Sequence, residues 1–190
     1  MPEYLDHLAN YQNIDSIIVY TNWTILPSVD LKKSLKNSNS IVEISNYGNA
    51  SRNALELKNI LTNYDIPCTL KDPVWTDSGR IHNYKNESHQ ELSEKYFRCC
   101  TNDILTLLHG KIYHCPFSAN LINLDSKYFY DDDVLDISNI NSSNALRVKL
   151  SSFYKGKKYL NSCNYCNGRD FTVPLVPTAV QTRKPLSIPD

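Results

Sequence analysis

Apolar residues in the first 75 positions recur in two alternating patterns, one typical of helices and one typical of buried strands. The strand segments are short and rich in β-branched residues, as in Ser16-Ile-Ile-Val-Tyr20, which indicates burial on both faces. Helices between successive strands favour right-handed crossovers and a parallel sheet. The predicted helix and strand pairs are residues 2 to 12 with 16 to 20, 29 to 35 with 40 to 45, and 53 to 63 with 67 to 71.

The third helix gives the most specific local prediction. Ser51 is the expected N-cap, because a serine hydroxyl can accept a hydrogen bond from the first turn. Helical spacing predicts a buried stripe on one face of this helix. Its members are Leu55, Leu57, Ile60 and Leu61.

Three strands are too few to close a barrel, and a sheet that stops there exposes an unpaired edge. We therefore expect an N-terminal piece that is missing or that another chain supplies, with a self-contained small α/β layer as the alternative. Thr21, Asn22 and Ser45 lie at the carboxyl ends of predicted strands. Open α/β sheets and barrels bind ligands at those ends, although such residues also cap the following helix.

The middle of the chain predicts a helix and then a β-hairpin. Residues 73 to 95 are mostly polar, and helical spacing resumes near His89 to Tyr96. Residues 104 to 108 and 111 to 114 are expected to pair, with Gly110 at the turn. His109 and His114 have the chemistry to ligate zinc, but as turn and strand residues they are expected to face solvent. The acidic run 131 to 133 is expected to begin a helix.

Cysteines follow a spacing typical of metal sites in the second half of the chain. Cys115 closes the predicted hairpin, and either Cys99 or Cys100 precedes it. Cys163 and Cys166 form a C-x-x-C pair, in which one tight turn presents two thiolates. Four such thiolates suit zinc and a 4Fe-4S cluster alike.

Composition narrows the function classes. The chain has 190 residues and a formal net charge of zero, which argues against binding to nucleic acid or to an anionic membrane. Neither a secretory signal nor an apolar run of membrane-spanning length is evident. We therefore expect a cytoplasmic protein, in which the six cysteines are metal ligands rather than disulfides.

The register C-x9-15-G-x4-C followed by C-x-x-C resembles the Twitch domain, a shortened SPASM domain of radical S-adenosylmethionine (radical SAM) enzymes. The resemblance covers residues 99 to 166 and implies an auxiliary 4Fe-4S cluster. Upstream, Thr21-Asn22 and residues 44 to 48 resemble the third and fourth strands of the radical SAM partial barrel. The implied α/β architecture has a partial TIM-type barrel in residues 1 to 75, a bridge in 76 to 98, and a small α+β cluster domain with its tail in 99 to 190.

The chain also departs from that family. It lacks the C-x3-C-x2-C triplet and the Gly-Gly-Glu segment that bind the radical-generating cluster and S-adenosylmethionine, and Trp23 replaces the usual glycine. Alone, the chain is not expected to cleave S-adenosylmethionine, which would bind only if a separate chain supplied the N-terminal half. The resemblance implies the C-terminal part of an oxidoreductase acting on a small molecule such as a sugar or glycan precursor. The alternatives are a zinc-stabilised interaction module and an inactive remnant.

Overall fold

The structure, a computed structural model, describes residues 1 to 22, 24 to 124, 130 to 170, 172 and 174 to 178, apart from the side chains of 122 and 123. The chain divides into two compact units, Met1–Trp75 and Thr76–Val176. The first is a layer of helices on a parallel sheet. The second combines helices with short antiparallel strands.

The first unit confirms the predicted succession of helices and parallel strands. The three strands lie in the sheet in their order along the chain, with Ile18 opposite Ile41 and Val42 opposite Cys68. Its elements are α1 (Pro2–Leu8), β1 (Ile18–Thr21), α2 (Val29–Asn37), β2 (Ile41–Ser45), α3 (Ala54–Asn63) and β3 (Cys68–Lys71).

The core of the first unit lies between its helices and one face of the sheet. Val42 and Ile44 of β2 point into this core, which is completed by leucines of α1, α2 and α3. The opposite face exposes Ile18, Ile41 and Tyr20, the last of these 68% exposed. Parallel sheets are usually covered on both faces. Next to β1, this face therefore carries apolar surface of the kind that another polypeptide segment normally covers, whereas Glu43 of β2 and Lys71 of β3 form an ion pair on the same face.

The predicted bounds of α3, residues 53 to 63, agree with the structure to one residue, but α3 does not have the predicted N-cap. Its N-cap is Asn53, while Ser51 belongs to a 3-10 turn, Gly48–Ser51, and donates a hydrogen bond to the Ser45 carbonyl oxygen over 3.0 Å. The buried residues of α3 are Ala54, Leu57 and Leu61. Leu55 is 65% exposed because these three residues, three and four positions apart, define the buried face without it.

The second unit confirms the predicted helix and hairpin. The hairpin pairs Leu108 with Lys111, and its turn residues His109 and Gly110 have φ of 50° and 73°. A third strand, Val134–Asp136, pairs antiparallel with the second strand of the hairpin, and the sequence pattern did not predict it. The elements are β4 (Trp75–Thr76), which begins at the last residue of the first unit, α4 (His89–Arg98), β5 (Thr106–Leu108), β6 (Lys111–Tyr113), α5 (Pro116–Leu124), β7 (Val134–Asp136), α6 (Ser143–Tyr154) and β8 (Leu175–Val176).

Within the described ranges, every helix is too short or too polar to cross a membrane.

Candidate metal centre

Four of the six cysteines line one cavity in the second unit. The cavity has a volume of about 230 Å³. Its cysteines are Cys99, Cys115, Cys163 and Cys166. Cys100 is not among the lining residues, so the fold distinguishes the adjacent pair that spacing alone left open.

Helix and strand ends bring these cysteines together. Cys99 is the C-cap of α4, and its extended backbone, with φ −71° and ψ 133°, turns the chain away from the helix. Cys115 lies between β6 and α5, and its carbonyl oxygen accepts a hydrogen bond from the Ala119 N–H over 3.2 Å. Cys163 belongs to the 3-10 turn Asn161–Asn164, and Cys166 follows it.

The sulfur atoms have hydrogen-bond partners of the kind that stabilise thiolates. The backbone N–H of Ser118 donates to Cys115 Sγ, and that of Gly168 donates to Cys166 Sγ, each over 3.3 Å. Cys99 Sγ lies 3.1 Å from Thr101 Oγ1. Hydrogen bonds to ligand sulfurs orient them and tune the metal group that they hold.

Burial dominates the acid-base behaviour of the site. Burial, with smaller contributions from nearby thiols, raises the pKa of Cys115 and of Cys163 to about 12. Burial also raises the pKa of Cys166. A metal ligand must be a thiolate, so a bound cation would have to supply the stabilisation that water cannot give inside this cavity.

The C-x-x-C turn is held by the stretch that precedes α4. The Lys85 N–H donates to the Asn164 carbonyl oxygen, and the Glu87 N–H donates to Asn164 Oδ1, both over 3.0 Å. Gly79 packs so closely against the Tyr165 carbonyl oxygen that a Cβ would overlap it. The stretch predicted as a bridge therefore contributes directly to the cysteine site.

Asp133 anchors the same turn from the other direction. Its carboxylate is 1% exposed and accepts hydrogen bonds from the N–H groups of Asn161, over 3.1 Å, and Ser162, over 2.9 Å. The prediction that residues 131 to 133 begin a helix is wrong, because they form a 3-10 turn followed by β7. The partners of Asp133 lie about 29 positions away, where no local pattern could reveal them.

The predicted exposure of the two histidines is half right. His109 is exposed at the hairpin turn. His114 is only 2% exposed and stacks on Phe153 of α6, with ring centroids 4.2 Å apart. Burial, followed by the charge of Lys157, lowers the pKa of His114. Its Nε2 has no hydrogen-bond partner within the described ranges, and the residue does not line the cysteine cavity.

The predicted strand-end ligands are only partly brought together. Thr21 ends β1, and with Asn22 it lines a shallow pocket of about 180 Å³ in the first unit. Ser45 does not line that pocket, and its carbonyl oxygen instead accepts the hydrogen bond from Ser51. Trp23 lies outside the described residues.

Comparison with known proteins gives no assignment. No protein-family model matches the chain, and no curated protein matches it.

In the part of the chain that the structure describes, no group of three or more His, Cys, Asp and Glu side chains has the arrangement required to hold a metal ion. The candidate site therefore rests on the four cysteines that line one cavity.

Proposed function

We propose that Cys99, Cys115, Cys163 and Cys166 hold a 4Fe-4S cluster that transfers electrons. The observation that carries this proposal is that these four thiols, from three separate parts of the second unit, line one cavity of about 230 Å³. Thiolates are the usual ligands of such clusters. A cavity of this size has room for a cluster of several atoms, whereas a single zinc ion would occupy a small part of it.

The surrounding residues fit such a group. The backbone N–H groups of Ser118 and Gly168 already donate to two of the sulfurs. Tyr96, Phe117 and Leu160 supply apolar lining, which would limit the access of water. A cluster with four cysteine ligands leaves no iron open to substrate, and the chemistry that it supplies is electron transfer.

We further propose that the chain is the C-terminal part of a radical SAM oxidoreductase that acts on a sugar or glycan precursor. The resemblance of residues 99 to 166 supports this assignment. The exposed apolar face of the first unit supports a further polypeptide segment that covers the sheet. That segment would carry the cysteine triplet and bind S-adenosylmethionine, so the described chain alone is not expected to generate a radical.

The first experiment is anaerobic reconstitution with iron and sulfide, followed by metal analysis and absorption spectroscopy. The proposal expects about four iron atoms per chain and broad absorption near about 400 nm. A colourless protein that retains zinc under the same conditions would contradict the cluster and favour a zinc-stabilised interaction module. A protein that retains neither metal would favour the inactive remnant.

Cys99 and Cys100 provide a matched pair of variants for the ligand set. Cys99→Ser should lose at least one iron per chain, because Cys99 lines the cavity. Cys100→Ser should retain the full iron content, because Cys100 does not line the cavity. The reverse result, with iron lost only from Cys100→Ser, would show that the proposed ligand set is wrong.

The proposed partner can be tested through the exposed sheet face. A separately expressed chain that carries the C-x3-C-x2-C triplet should co-purify with this protein. Tyr20→Asp should abolish co-purification, because it replaces the most exposed of the three apolar side chains on this face by a charge, and Tyr154→Asp on α6 is the exposed control. Equal co-purification of both variants would rule out the sheet face as the contact.

A further inference from the structure

Two lysine side chains converge on the backbone of the C-x-x-C turn. Lys85 Nζ donates to the Cys166 carbonyl oxygen over 2.8 Å. Lys95 Nζ donates to the same oxygen over 2.9 Å and to the Cys163 carbonyl oxygen over 3.1 Å. Both carbonyls belong to residues that line the cavity, so two positive charges lie directly behind two of the proposed ligands.

Lys95 is the more enclosed of these charges. Its side chain is 12% exposed, lines the cavity and forms an ion pair with Glu87. Its aliphatic stem passes over Gly168, where a Cβ would lie 3.1 Å from Lys95 Cγ. Gly168, at φ +81°, thus leaves space for the lysine and also donates its N–H to Cys166 Sγ.

The two lysines have an electrostatic effect in addition to holding the C-x-x-C turn. A neutral hydrogen-bond donor could hold the turn carbonyls, whereas an enclosed ammonium group also favours negative charge nearby. Burial and the neighbouring Lys95 charge lower the pKa of Lys85, whereas Glu87, Cys166 and Asp77 raise it. Because Glu87 is the ion-pair partner of Lys95, these two residues should affect a charged group in the cavity with opposite signs.

We propose that Lys95 is a positioning residue that holds the C-x-x-C turn and raises the reduction potential of the cluster, and that Glu87 lowers this potential. This inference rests on the proposed 4Fe-4S site. One-electron reduction adds a negative charge to the cluster, and the nearby ammonium group stabilises that charge. Net charge near a cluster is one of the factors that set its potential.

The test is an anaerobic redox titration of reconstituted protein, in which dithionite supplies the electron, with iron content measured on the same samples. Lys95→Gln should keep about four iron atoms and shift the reduction equilibrium at least tenfold towards the oxidised cluster, a fall of about 59 mV for a one-electron couple. Glu87→Gln should shift the equilibrium in the opposite direction. Lys149→Gln, at an exposed position of α6, should leave it unchanged.

Shifts of the reduction potential in opposite directions distinguish an electrostatic role from a structural one. A general loosening of the turn would shift the potential of both variants in the same direction. If Lys95→Gln fails to retain iron, the test depends on Glu87→Gln alone. An unchanged reduction potential in Glu87→Gln then overturns the proposal. Wild-type potentials in both iron-loaded variants also overturn it while leaving the proposed cluster intact. Wild-type protein without iron overturns the cluster and this inference together.

Discussion

Replacing the buried Asp133 by asparagine isolates the contribution of one carboxylate to the cysteine site. Asp133→Asn keeps the shape of the side chain but removes its charge and turns one acceptor oxygen into a donor. In the native protein, Oδ1 accepts from the Asn161 N–H over 3.1 Å, and Oδ2 accepts from the Ser162 N–H over 2.9 Å. Whichever way the new amide is oriented, one of these backbone N–H groups faces another donor.

The expected loss of stability follows from these two contacts. Leaving one buried N–H without an acceptor costs about 1–3 kcal/mol, and replacing the remaining charge-assisted hydrogen bond by a neutral one costs about 1 kcal/mol. The free energy of unfolding should therefore fall by about 2–4 kcal/mol. For a unit of roughly 100 residues, the midpoint of thermal unfolding should fall by about 10 °C or more.

The assay is urea unfolding of identically loaded proteins, followed by tyrosine fluorescence and circular dichroism. Asp132→Asn is the matched control, because Asp132 is adjacent but exposed. The two variants should differ clearly in midpoint and share the same denaturant slope. A free energy of unfolding for Asp133→Asn within about 0.5 kcal/mol of the control would refute the role assigned to the carboxylate.

Two further predictions concern packing in the two units. Gly79→Ala should destabilise the protein by well over the roughly 1–2 kcal/mol expected for positive φ alone, because the new Cβ overlaps the Tyr165 carbonyl oxygen. Gly156→Ala is the control, because φ at this position is +84° and an added Cβ would have no atom within 4 Å. Thermal unfolding of this variant should show only the destabilisation caused by positive φ. Equal losses of stability in the two variants would contradict the proposed overlap. Leu57→Ala should lower the free energy of unfolding, measured in urea, by about 2–5 kcal/mol, because Leu57 is fully buried. Leu55→Ala should change it little, because Leu55 is exposed. Similar losses of stability in the two variants would mean that the buried face of α3 is misassigned.

The parallel sheet could be predicted because its evidence is local. Each strand is a short apolar run between helical segments, and crossover rules determine the direction of pairing. The N-cap of α3 could not be predicted from local evidence in the same way. Ser51 has the chemistry of an N-cap, but its hydroxyl bonds to the Ser45 carbonyl oxygen, and that contact exists only after the chain has folded back.

The cysteine site was predictable as a set but not as a geometry. Spacing identified five candidate residues, yet Cys99 and Cys100 satisfy the same pattern equally well. The difference between them depends on where α4 ends, because the C-cap conformation of Cys99 turns the chain at that residue. Helix ends depend on tertiary contacts, so sequence spacing alone could not decide between the two.

The residues that support the site were least visible in the sequence. Lys95, Glu87 and Asp133 look like ordinary charged residues on a helix, a loop and an acidic run. Apart from the ion pair between Lys95 and Glu87, which are 8 positions apart, their partners are 28 to 77 positions away along the chain. His114 was misjudged for a related reason, because a hairpin strand appears open to solvent until Phe153 of α6 packs against it.

The proposed ligands also belong to the apolar core of the second unit, which links metal binding to folding. One buried cluster contains Tyr96, Cys115 and Leu160, with Cys163 packed against it. Free thiols pack in such a core as small apolar groups, and burial keeps them protonated. A bound cluster would replace those thiols with thiolates and fill the space between them, so its binding free energy would contribute to the folding free energy of this unit. The first unit has a separate core of aliphatic side chains from α1, α2, α3 and the sheet, and that core needs no such group.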